Sequence, residues 1–204
     1  MREPTTLFWD IGGVLLTNCW DRIARRRAAE KFGLDWDDFR VRHEKVAAAF
    51  ETGQITLAQY LQHTVFHCSR AFDPEAFAAF MRSQSQAYPE VLAILERLAG
   101  SGRYQLATLN NESRELNAFR IEEFGLRRYF TLFLSSGFLG VMKPDEPIYR
   151  LALEVTQRQP DECLFIDDRP PNLECARTLG IRTVHYQNPD QLRDALTTQG
   201  VHLA

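Results

Sequence analysis

The sequence predicts an α/β protein: an open parallel sheet with a helical segment inserted after its first strand. Three observations carry this. After Pro89, short β-rich runs alternate with helical patterns, which implies βα units. A similar run, residues 5–9, stands alone near the start. Between them, residues 21–86 have helical texture and no strand candidate of any strength.

The elements follow in order. Residues 5–9 lead straight into Asp10, so a buried strand ends in a carboxylate. Gly12 and Gly13 then require a turn. Ala and Arg dominate residues 21–31, and Phe39, Val46 and Phe50 recur at helical spacing. Thr56 and Gln59 form a capping box after the Gly53 turn. Asp73 and Pro74 fit an N-cap with proline at the first helical position. Beyond Pro89, helices are expected at 90–99, 113–124, 146–156, before Leu179 and at the end. Strands are expected at 104–109, 131–134, 164–166 and 182–185. Residues 1–18 and 88–204 thus form the sheet core, and 19–87 an inserted helical cap.

Composition narrows the class. The 204 residues are 45% hydrophobic and 25% charged, ordinary for one globular domain carrying an insert. The net charge of -3 sets up no field that favours nucleic acid or an anionic membrane. Arg22, Arg25, Arg26 and Arg27 read as the solvated face of a helix. Cys19, Cys68, Cys163 and Cys175 form no CxxC pair, and the histidines do not join them at zinc spacing. Free thiols, no signal-peptide pattern and no apolar run of about 20 residues predict a cytoplasmic protein.

Polar groups directly follow three predicted strands: Asp10, Asn110 with Asn111, and Asp167 with Asp168. Ligands of open parallel sheets bind outside the carboxyl ends of the strands, so these groups should converge. Lys143, after a fourth strand, can join them. Three carboxylates in one crevice repel and call for a hard cation, most simply Mg²⁺. The lysine balances an anionic ligand. Asparagine amides ahead of a helix N-terminus suit phosphate oxygens.

The motifs LFWDIGGVLL, LATLNN, KPDEPIY and LFIDDRPPN, in this order from residue 7 to residue 172, resemble the haloacid-dehalogenase-like hydrolases with a helical cap. The wording is also similar to bacterial glucose-1-phosphate phosphatases and to the N-terminal phosphatase domain of soluble epoxide hydrolases. The resemblance implies a Rossmann-like core and a phosphatase acting on a small phosphorylated substrate through an aspartyl-phosphate. It implies Asp10 as nucleophile and metal ligand, with the Gly12 carbonyl and Asp168 as further ligands and Asp167 assisting. Lys143 would bridge nucleophile and phosphoryl group, beside Asn110 and Asn111.

Two positions depart from that pattern. Family phosphatases mostly carry a second aspartate, the general acid, two residues after the nucleophile; here that position is Gly12. Its absence removes a contribution of about 10²- to 10⁴-fold. His43, Glu44 and Glu51 in the cap are candidate substitutes, unranked by sequence. Asn110 stands where the family has Ser or Thr. The glycine leaves two other readings open: a 2-haloacid dehalogenase, which needs neither acid nor metal, and a non-catalytic binder of a phosphorylated ligand. Plainer roles compete at each residue. Asp10, Asn110, Asn111, Asp167 and Asp168 suit turns or caps, Lys143 an exposed loop, and His43, His63, His67 and the tryptophans packing.

Overall fold

The computed structural model describes residues 3–203; residues 1–2 and 204, at the ends of the expected core segments, lie outside the described residues. Strand β1 (Thr6–Trp9) is followed by four helices, α1 (Arg22–Phe32), α2 (Trp36–Glu51), α3 (Leu57–Thr64) and α4 (Pro74–Ser83). Next come α5 (Pro89–Ser101), β2 (Gln105–Asn110), α6 (Arg114–Glu123), β3 (Leu132–Ser135) and the short α7 (Ser136–Leu139). The chain ends with α8 (Glu146–Thr156), β4 (Cys163–Asp167), α9 (Pro170–Thr178), β5 (Arg182–His185) and α10 (Pro189–Thr198). The sheet order is β3-β2-β1-β4-β5, and every pairing is parallel. The α/β parallel sheet expected from the sequence is therefore the observed architecture.

Both faces of the sheet are covered, which is why its strands are continuously apolar rather than alternating. Leu7, Trp9, Leu106, Leu164 and Ile166 pack on one side with α5 and α10 residues such as Leu95 and Leu192. Phe8, Ala107, Leu109 and Phe165 pack on the other with Ile148 and Tyr149 of α8 and Leu173 of α9. Burying each such side chain contributes about 1.5–3 kcal/mol.

The register positions the polar strand ends. Trp9 lies level with Ile166 of β4 and Thr108 of β2. Asp10 and Asp167, each one residue further, therefore emerge side by side from the two central strands. The Asp10 amide donates to the Ile166 carbonyl, 2.9 Å, which extends the pairing to that point.

Helices α1 to α4 build an apolar cluster of their own. Trp20, Phe39, Phe50, Tyr60, Phe77 and Met81 form it, and Leu116 of α6 joins from the sheet layer. Local chemistry starts these helices. Asp21, Asp35 and Asp73 cap α1, α2 and α4, with Pro74 opening α4, and Thr56 and Gln59 complete a capping box at α3. Among the described residues no helix is long and apolar enough to cross a membrane.

The α2–α3 turn is joined to the sheet layer at one seam. Ser136 Oγ donates to the Glu51 carbonyl at 2.6 Å, and the Leu57 amide donates to Glu115 at 2.9 Å. Gly53 has φ of +69°, and a Cβ there would stand 2.0 Å from the Gly137 carbonyl oxygen. Position 53 thus requires glycine both for its backbone and for the close approach. Gly53→Ala should lower stability by about 2–4 kcal/mol. Urea unfolding checks this; a loss under 0.5 kcal/mol, the usual scale of surface substitutions, would mean that the turn relaxes away from α7.

Candidate active site

A crevice of about 490 Å³ opens at the carboxyl ends of β1 and β4, between the sheet and the α1–α4 layer. Asp10, Gly12, Asn111, Lys143 and Asp168 line it from the sheet side. Trp20, Arg22, Arg25, His43 and Glu51 line it from the helical layer.

Lys143 is the hub. Its Nζ lies 2.6 Å from Asp167 Oδ2 and 3.1 Å from Asp10 Oδ1, and all three side chains are buried. The ammonium also lies 5.2 Å from the centre of the Phe165 ring. Asn111 fixes its backbone: the amide nitrogen donates to the Lys143 carbonyl at 2.7 Å, and the amide oxygen accepts from the Lys143 N–H at 2.8 Å. Asp167 is held in turn by Asn172 Nδ2, 3.0 Å from both oxygens, and by the Arg169 amide at 2.7 Å.

Electrostatics follow from burial. Desolvation pushes the Asp10 carboxyl up to about 7, against the pull of Lys143, and Asp167 adds to the rise. Burial also works against the Lys143 charge, but Asp10 and Asp167 outweigh it and hold that pKa above the ordinary lysine value. Burial and Asp167 raise Asp168 as well. Carboxylate oxygens of Asp10, Asp167 and Asp168 lie within 4.8 Å of one another. Asp168 Oδ1 is buried with no hydrogen-bond partner among the described residues. Gly13, with φ of +79°, makes room for it: a Cβ there would meet Asp168 Oδ2 at 2.3 Å.

The structure treats the expected phosphate cradle differently. Asn110 does not line the crevice; its amide donates to Asn117 Oδ1 at 3.0 Å. Asn111 does line it, but one of its amide hydrogens is committed to Lys143. Both asparagines reach the strand end because β2 stops there. Their side chains are claimed by neighbours that strand-end reasoning does not see.

Two charged residues absent from the sequence reading sit behind Gly12. Glu112 and Arg120 are buried and pair at 3.2 Å, and Arg120 also donates to the Thr17 carbonyl at 2.6 Å. A Cβ on Gly12 would lie 3.7 Å from Arg120 Nη1 and 2.8 Å from Asn18 Oδ1. A guanidinium and an amide therefore occupy the space towards which a side chain at position 12 would point. Desolvation raises Glu112 to about 7 against Arg120, and Glu51 adds to the rise. The available signal was helical spacing: Arg120 falls on the buried stripe of Leu116, Asn117 and Ile121.

An open parallel sheet with buried carboxylates and a lysine at its switch point defines an α/β protein with a polar site at its strand ends. The family model for haloacid dehalogenase-like hydrolases matches residues 4–180, and the chain belongs to that family. It is 28% identical to flavin mononucleotide hydrolase 1 of Arabidopsis thaliana over 80% of this chain and 65% of that one. It is 27% identical to bifunctional epoxide hydrolase 2 of Sus scrofa over 96% of this chain and 39% of that one. The matches thus span less than two thirds of either relative. Phosphoserine phosphatase of Thermus thermophilus is 34% identical over 54% of this chain and 45% of its own. Among solved structures, a haloacid-dehalogenase family enzyme of Bacteroides thetaiotaomicron, in complex with magnesium and inorganic phosphate, superposes with a TM-score of 0.75. It shares 23% identity over 90% of this chain and 94% of its own. The L-2-haloacid dehalogenase PA0810 reaches a TM-score of 0.63 at 21% identity over 88% and 83%.

Removing the hub tests the electrostatics. Lys143→Met leaves Asp10 buried without its cation, so its carboxyl, already raised to about 7 in the native fold, is raised further. A carboxyl whose folded pKa exceeds its unfolded value costs stability as pH rises from the unfolded value through the folded one. The native protein bears the same Asp10 cost up to about pH 7, so the deficit of the variant should widen above about pH 7, reaching about 3–5 kcal/mol. Urea unfolding in EDTA measures it; a deficit constant with pH would contradict the assignment.

Proposed function

We propose that the protein is a Mg²⁺-dependent phosphatase that hydrolyses a small phosphorylated metabolite, a sugar phosphate among the candidates, through an aspartyl-phosphate. One observation carries the reading: Lys143 sits between Asp10 and Asp167, while Asp168 lines the crevice with its buried Oδ1 lacking a partner among the described residues.

The residues fit a hard divalent cation. Three clustered carboxylates face one ammonium, and an all-oxygen donor set suits Mg²⁺. Asp10, Asp168 and the Gly12 carbonyl would hold the ion, with Asp167 assisting through Lys143. When bound, it neutralises charge on the phosphoryl group. The chain's own residues do the rest. An Asp10 oxygen attacks phosphorus and the ester oxygen departs, leaving an aspartyl-phosphate that water then opens. Lys143 keeps its proton and bridges Asp10 to the phosphoryl oxygens. Asn111 positions Lys143 through one amide hydrogen and has a second to offer a phosphoryl oxygen. Asn110, buried outside the crevice lining, would have to move to reach phosphate.

Residues 19–87 serve as the cap. They supply one wall of the crevice, and its volume suits a small metabolite rather than a polymer. The relatives named flavin mononucleotide hydrolase and phosphoserine phosphatase support a phosphate ester as the substrate class. Four free cysteines fit a reducing, cytoplasmic setting.

Phosphate release from a panel of sugar, nucleotide and acyl phosphates is the test. Turnover with Mg²⁺, its loss in EDTA, and a fall of about 10⁴-fold or more in Asp10→Asn are expected. Metal-independent turnover would overturn the Mg²⁺-dependent reading, and chloride release from 2-chloropropionate without phosphatase activity would replace it with a dehalogenase.

A further inference from the structure

Position 12 offers no side chain to protonate a leaving group, and the crevice holds few groups that can. His43 lines it, but Nδ1 lies 2.9 Å from the Tyr60 hydroxyl. Burial and Arg25 lower His43 to about 4, so it is neutral near pH 7 and holds no spare proton. Glu44 is exposed, bonds Arg40 at 2.8 Å and does not line the crevice. Glu112 lines it, but both its oxygens are taken, one by the Ser113 amide at 3.0 Å and the other by Arg120 at 3.2 Å.

Glu51 differs from all three. Its side chain lines the crevice, and its carboxyl makes no hydrogen bond or ion pair among the described residues. It is the last residue of α2, where unpaired helix carbonyls oppose a negative charge. The seam holds it there. Ser136 Oγ donates to the Glu51 carbonyl at 2.6 Å and accepts from the Glu112 amide at 3.0 Å, so one hydroxyl ties the two glutamates' backbones together. We infer that Glu51, held at the seam between α2 and α7, is the proton donor to the leaving-group oxygen and then the base for the attacking water.

This rests on the phosphatase reading above. Asp10 bonds to phosphorus as the P–O ester bond breaks; the departing oxygen takes its electron pair and the Glu51 proton, releasing an alcohol. Water then attacks phosphorus and gives a proton to the Glu51 carboxylate. The Asp10–phosphorus bond breaks, returning the Asp10 carboxylate, inorganic phosphate and protonated Glu51. The charged and titratable groups around Glu51 are Arg25 from α1, Tyr60 from α3, Glu112 from the β2–α6 loop and Arg169 from the β4–α9 loop. Burial raises the Glu51 carboxyl, Arg25 and Arg169 oppose the rise, and the net direction is upward. A general acid near neutral pH needs that direction.

The test compares Glu51→Gln with the native protein on an alkyl phosphate and on p-nitrophenyl phosphate, whose leaving group departs without a proton. For the alkyl ester, kcat/KM should fall by about 10²- to 10⁴-fold. For the aryl ester, kcat/KM, which reports the first step alone, should fall by less than about tenfold, with a burst of p-nitrophenol as the second step slows. Equal losses on both esters at an unchanged Tm would overturn the proposal and leave the phosphatase reading standing. Native protein that hydrolyses neither ester would remove that reading, and the proposal with it. Carbon-13 NMR of labelled glutamates adds a readout independent of turnover. The resonance missing from Glu51→Gln should titrate above the ordinary glutamate range; titration within that range would also overturn the assignment.

Discussion

Burying an ammonium is costly: even after relaxation the penalty is several kcal/mol per ion, recovered only with close partners and satisfied hydrogen bonds. Lys143 meets that condition through Asp10 at 3.1 Å and Asp167 at 2.6 Å. The arrangement constrains much else. Both carboxylates must emerge from adjacent strands in one register, which the β1–β4 pairing supplies. The loop after α7 must deliver a lysine to the same point, and Asn111 gauges that loop by bonding both backbone groups of Lys143. Asn172, at the start of α9, holds Asp167 against its neighbours. Three strand ends, the loop before α8 and the start of α9 thus answer to one buried charge.

The same hub leaves an imbalance that points outward. Asp167 is fully engaged, and Asp10 is shared with Lys143. Asp168, carried to the rim by the chain turn after β4, keeps an oxygen without a partner. That asymmetry within an adjacent pair separates the carboxylate that holds Lys143 from the one with an unpartnered oxygen. Arg120 and Glu112 form a second buried pair behind Gly12. Arg120 and Asn18 stand where a side chain at position 12 would extend, so glycine there is matched by its surroundings rather than being a simple loss. Glu51, the last residue of α2, lines the crevice from the opposite wall.

Much of this was legible in the chain. Short apolar runs at 5–9, 104–109 and 164–166 identify the central strands because a sheet covered on both faces needs apolar side chains on both. Thr56 with Gln59, and Asp73 with Pro74, mark helix starts through local hydrogen bonding that requires no tertiary contact. A carboxylate or amide after an apolar run is equally local, so Asp10, Asn110, Asn111, Asp167 and Asp168 could be named as strand-end groups. The four-residue α7 was not legible: Ser136–Leu139 is too short for a period to register.

The sequence by itself determined the element types, the parallel sheet and which residues reach its carboxyl edge, since each depends on neighbours within a few positions. Tertiary structure decided what those residues do there. Asn111 turned to the Lys143 backbone and Asn110 to Asn117, partners 32 and 7 positions away. Arg120 came to lie beside Gly12, and Glu51, not Glu44, came to line the crevice. Side-chain direction and the pairing of buried charges depend on through-space distance and desolvation, and no local spacing encodes either.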